Sequence, residues 1–206
     1  MRHLVLAVCV IGLTGSFAVA QTNRPLSPRG QAAAQVGGVW DTSGQFPTYR
    51  DGKWLEIDYG RPIRRGRTNL FGRGADYGTA LLADTPIWRA GANKSTTLTT
   101  EVPLIVGGTR VEAGEYTLFI DLAEAGWTFV VSSFAAKANP QEEQGLWGSD
   151  GYETSKDVAR APMVFGKPPA RVEQLTWFFA DVSDEGGTIV VMWDDTLASV
   201  PFTVAR

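Results

Sequence analysis

From Trp54 onward, short runs of β-branched and aromatic residues alternate with clusters of Gly, Pro, Asp and Asn. Runs of this length between turn formers predict strands. They fall near 54–59, 95–106, 109–112, 115–122, 127–133, 157–165, 172–182, 187–194 and 197–204. Strict alternation assigns the faces: Tyr116, Leu118, Ile120 and Leu122 point one way, and Thr117, Phe119 and Asp121 the other. Trp127, Phe129 and Val131 repeat that pattern. Residues 187–193, GTIVVMW, are apolar on both faces, which predicts a central strand covered on each side. Gly107-Gly108 predicts a two-residue hairpin, because glycine takes positive φ without a steric cost. Turns at 123–126, 185–187 and 194–196 join further pairs. No helical period is sustained. The pattern predicts an all-β domain over 54–206, an antiparallel two-sheet β-sandwich of jelly-roll or immunoglobulin-like kind.

Outside those runs the pattern weakens. Residues 21–53 are rich in Gln, Gly, Ala, Pro and Ser, and read as a tether followed by irregular structure, with 32–38 as one short edge strand. Segments 60–94 and 134–156 fit no strand; irregular stretches of that length in a compact domain are often functional. A disordered excursion or a short helix is the alternative for 134–156.

Residues 1–20 read as a signal peptide: a basic start at Arg2 and His3, an apolar run from Leu4 to Leu13, and a small-residue cleavage site at Ala18-Val19-Ala20. The run is too short to span a bilayer. The expected location is therefore periplasmic or secreted, with no transmembrane segment after cleavage. Cleavage would leave 18 basic and 22 acidic side chains. It would also remove His3 and Cys9, the only residues of their types. The remaining chain then lacks the side chains for Ser-His-Asp or Cys-His catalysis, disulfides, Cys/His zinc sites and His-ligated haem. Catalysis would depend on carboxylates such as Asp58, Asp76, Glu112, Asp150 and Asp157, none in a diagnostic spacing. No calcium loop or phosphate loop is present, so no metal and no cofactor is expected.

The densest chemistry lies in IDYGRPIRRGRTNLFGRG (57–74) and PIWRAGANKSTTLT (86–99). Arg61, Arg64, Arg65, Arg67 and Arg73 fall within thirteen residues of an otherwise acidic chain. Guanidinium forks bind carboxylate or phosphate, and structural ion pairs with nearby acids fit the cluster equally. The patch is too small, in a net-negative chain, for nucleic acid. Trp88, Arg89 and Asn93 combine a ring, a fork and an amide, a palette for a glycan or small anion; core filling and turn formation are the structural alternatives. Trp127, Trp177 and Trp193 sit at strand positions and read as core, whereas Trp40, Trp88 and Trp147 are candidates for an exposed platform.

These residues resemble a known family. SPRG (27–30), QVG (35–37), IDYGRP (57–62), GR (66–67), FG (71–72), WRAGANKST (88–96), AGEYTLF (113–119), GW (126–127), DVAR (157–160) and VEQLTW (172–177), in this order, are similar to the bacterial domain of unknown function family 2911. The resemblance implies an exported β-rich domain and no known activity. Residues 38–54 depart from the family pattern and look like an insertion. The chain is read as a non-catalytic binding module for a polar or anionic ligand such as a glycan, with Arg61, Arg67, Trp88, Arg89 and Asn93 as its site. The alternatives are a carboxylate-dependent hydrolase of a cell-wall or extracellular polymer and a structural or interaction protein of the envelope whose partner is unknown.

Overall fold

The structure, a computed structural model, describes residues 25–205. The predicted leader, with His3 and Cys9, lies outside the described residues. The strands are β1 (Arg29–Val36), β2 (Val39–Asp41), β3 (Thr48–Arg50), β4 (Lys53–Gly60), β5 (Thr96–Thr100), β6 (Leu104–Val106) and β7 (Thr109–Val111). They continue as β8 (Gly114–Asp121), β9 (Thr128–Ser132), β10 (Asp157–Pro162), β11 (Val164–Gly166), β12 (Val172–Ser183), β13 (Gly186–Asp194) and β14 (Thr196–Val204). Among the described residues, helix is confined to the single turn α1 (Thr79–Leu82) and two 3-10 turns.

Two large antiparallel sheets result. The first runs β1-β4-β5-β8-β9-β10, and the second β12-β13-β14-β6-β7 with β11 added to β14. Alternation sends Leu55 and Ile57, Leu118 and Ile120, and Phe129 and Val131 from the first sheet into one shared core. Leu175 and Trp177, Ile189 and Val191, and Val200 and Phe202 meet them from the second. Burying each such side chain contributes roughly 1.5–3 kcal/mol, which makes this core the main source of stability. Trp127, Trp177 and Trp193 are buried there, as their strand positions predict. β13 lies between β12 and β14, and Gly107 and Gly108 turn β6 into β7 with φ of 58° and 80°.

Three sequence expectations change. The run 95–106 is two strands in different sheets, because the chain leaves β5 at Thr100, bends through Pro103 and enters β6. The run 157–165 divides the same way at Met163, β10 staying with β9 while β11 joins β14. The stretch 21–53 holds more structure than a tether: β1 pairs with β4 along all eight residues, Arg29 to Val36. Its Ala-rich sequence carries a single β-branched residue, Val36, so the signal it carries is pairing with a neighbour, which composition does not report. The departure at 38–54 is the hairpin β2–β3, where Trp40 lies across from Tyr49 with ring centroids 5.4 Å apart. The Tyr49 hydroxyl donates to Asp184 (2.6 Å), tying the hairpin to the β12–β13 turn. Among the described residues no helix is long and apolar enough to cross a membrane.

Candidate ligand site

The WRAGAN segment enters the fold beside the first sheet. Trp88 forms a two-way backbone bridge with Ile120 of β8 (3.0 and 2.9 Å), which fixes alternate directions for the side chains around it. Trp88 points into the core, 2% exposed, with its ring stacked 6.3 Å from Trp193 at 12°. It therefore offers no stacking face to a ligand, which corrects its place in the expected site. Ala90 is also buried, with φ of 47°, and its carbonyl accepts the Trp177 indole N–H at 2.9 Å across the core. Asn93 takes φ of 64° and turns the chain, and its side-chain amide reaches only the Ser27 carbonyl at 3.5 Å.

Arg89 goes the other way. It stands half-buried outside the core, where its Nη1 donates to the Asn93 carbonyl at 2.8 Å. No carboxylate among the described residues pairs with it. Burial alone pushes its pKa down, the sign expected for a cation moved out of water without a counter-ion. The guanidinium remains charged at any physiological pH. It lines a cavity of about 410 Å³ with Thr85, Lys137, Trp147, Ser149 and Asp150.

The 134–156 segment builds the opposite wall. It is anchored by a small second core on the outer face of the first sheet, made of Ile87, Phe119, Val130 and Leu146, with Phe134 and Tyr152 against it. Ser95, fully buried, shares its single hydroxyl proton between the carbonyls of Leu146 (3.0 Å) and Gly148 (2.7 Å), fastening the segment to the start of β5. Gly148, at φ of 74°, packs directly on the Arg89 guanidinium; a Cβ there would overlap Nη1. Lys137 has no carboxylate partner among the described residues either. The cavity thus holds two unpaired cations against the single carboxylate of Asp150, a half-buried indole at Trp147, and the hydroxyls of Thr85 and Ser149, which lie 2.8 Å apart.

The arginine cluster resolves differently. Arg61 donates to the Leu175 carbonyl (3.3 Å) and the Thr176 hydroxyl (3.2 Å), stitching the end of β4 to β12. Arg67 donates to the carbonyls of Ile63 and Arg64 and lies 5.4 Å over the Trp193 ring. Arg64 forms an ion pair with the buried Asp194, Nε to Oδ1 at 2.9 Å, without hydrogen-bond alignment. Those three have structural duties, while the guanidinium groups of Arg65 and Arg73 have no partner among the described residues. Of Arg61, Arg67, Trp88, Arg89 and Asn93, Arg89 alone lines this cavity, with Asn93 holding it.

A family model described as a protein of unknown function, DUF2911, matches residues 43–202. The chain belongs to the DUF2911 family. No curated protein and no solved structure matches it. Every wall of the Arg89 cavity lies inside the span that makes this a DUF2911 protein, whereas β1 and the first strand of the β2–β3 hairpin precede it. Sequence reading of this DUF2911 chain missed Lys137 and Ser149 as site residues. They lie 48 and 60 residues from Arg89 and carry no local pattern.

Proposed function

We propose that this DUF2911 protein is an exported, non-catalytic binding module whose Arg89 cavity takes a small anionic ligand of glycan type, a sugar acid. The observation that carries the reading is the half-buried Arg89 with no carboxylate partner. A cation in that position gains most from an incoming anion, because charge-assisted hydrogen bonds strengthen where water is partly excluded. Lys137 adds a second positive charge, Trp147 a face for the apolar side of a sugar ring, and Thr85 and Ser149 hydroxyls for its polar edge. The volume of about 410 Å³ suits one or two sugar units. The leader-like residues 1–20 support export to the periplasm or beyond. Hydrolysis by paired carboxylates has weaker support: Asp121 and Asp157 both line a cavity of about 860 Å³, yet both are tied to Arg160 (2.5 and 2.7 Å) in a network internal to the protein.

Calorimetric titration with D-glucuronate against D-glucose tests the reading. Wild type should bind the acid at least tenfold more tightly, about 1.4 kcal/mol, and Arg89→Gln should lose that preference with its thermal midpoint little changed. Equal binding of acid and neutral sugar, or an unaltered preference in Arg89→Gln, overturns the assignment.

A further inference from the structure

A second cavity, of about 690 Å³, opens where the loop 68–77 meets the residues after β11 and the tight turn 194–196. It shares no lining residue with the Arg89 cavity. Three cations line it, Arg73, Lys167 and Arg171, against Asp194 and Asp195. Asp194 is already neutralised twice, by Arg171 (2.7 Å) and by Arg64 from behind (2.9 Å). Arg73 and Lys167 are exposed and have no carboxylate partner among the described residues. Positive charge is therefore in surplus at this mouth, on a protein whose formal net charge is −3.

The floor is aromatic. Phe71, Phe165 and Tyr77 line the same cavity, and Phe165 remains 45% exposed although it packs edge-on to Trp127 at 5.1 Å. Phe71 lies 4.8 Å from Trp127, and the Tyr77 hydroxyl accepts the Trp127 indole N–H at 2.7 Å. A ring left half in water beside unpaired cations suits a ligand with an apolar body and an anionic end.

We propose that this cavity binds an aryl carboxylate, with Arg73 and Lys167 holding the carboxylate and Phe165 and Phe71 packing on the ring. Trp127 touches three of the lining side chains, so it reports occupancy directly. The test is a titration of the full chain with 3-phenylpropionate, followed by tryptophan fluorescence, with acetate and benzyl alcohol as probes lacking one half of the ligand. The proposal expects a saturable signal, at least tenfold tighter for 3-phenylpropionate than for either half. An Arg73→Gln/Lys167→Gln double variant should lose at least tenfold in affinity while keeping its melting temperature, and Arg89→Gln should bind as wild type. Phe165→Ser should weaken binding without removing the preference for the acid. No saturable signal, equal affinity for benzyl alcohol, or an unaffected double variant overturns the proposal; loss of binding in Arg89→Gln would place the aryl acid in the other cavity.

Discussion

Tyr152 shows how one side chain reports its surroundings. Its ring packs on Phe119 at 5.0 Å, its hydroxyl donates to Asp157 (2.7 Å), and Arg160 donates to it (3.2 Å). Burial first, and the bond to Asp157 second, push its pKa well above the ordinary value of about 10. The folded protein then holds a proton that the unfolded chain releases, so this contribution to stability is complete below about pH 10 and is lost as pH rises through the folded value. Wild type should therefore show a urea midpoint that falls as pH rises above about 10. Tyr152→Phe should flatten part of that fall and cost about 1 kcal/mol at neutral pH from the lost hydrogen bond. Tyr49, Tyr77 and Tyr116 are shifted the same way and keep the remainder of the slope. An unchanged slope in Tyr152→Phe would remove Tyr152 from this account.

Among the elements, the junction of β4 with the WRAGAN turn explains the glycines that both segments carry. Gly60 ends β4 against the 91–92 backbone, and a Cβ on it would overlap the Ala92 carbonyl. Gly91 faces Thr96 Oγ1 at a distance where a Cβ would sit 2.8 Å away. This close crossing brings Arg89 and Asn93 out beside the 134–156 segment. Gly60→Ala should therefore lower stability by about 1–3 kcal/mol by forcing the two backbones apart. Gly126→Ala, in an open turn with nothing within 4 Å of its would-be Cβ, should leave the urea midpoint nearly unchanged. Equal midpoints for the two variants would refute the close-crossing argument. The same element view accounts for the divided runs 95–106 and 157–165: periodicity is continuous across Pro103 and Met163, but each run crosses from one sheet to the other.

For the molecule as a whole, Trp88 joins the two sheets. It bonds through its backbone to β8 and packs its ring on Trp193 of β13, on Trp127 (5.9 Å) and on Phe71 (6.0 Å). Trp88→Ala should cost about 3–5 kcal/mol, seen in scanning calorimetry as a single transition about 10 °C or more lower. Two separated transitions would show that the sheets do not share one cooperative core. Alternation and turn chemistry determined most of this protein in advance: the β class, the hairpin at Gly107-Gly108, the inward faces of β8 and β9, and the core role of Trp127, Trp177 and Trp193. These depend on neighbours a few residues apart, which the sequence displays. Tertiary structure decided the rest. Composition could not show that Ala-rich β1 finds a full-length partner in β4. The single string WRAGAN could not show that its tryptophan turns inward while its arginine turns out. Nor could spacing show that Lys137, Trp147 and Ser149 stand around Arg89, because the buried hydroxyl of Ser95 and the core at Phe119 and Val130 bring that segment there. A site assembled from segments 48 to 60 residues apart exists only once packing has closed the distance, so its charge balance could be read from the folded molecule alone.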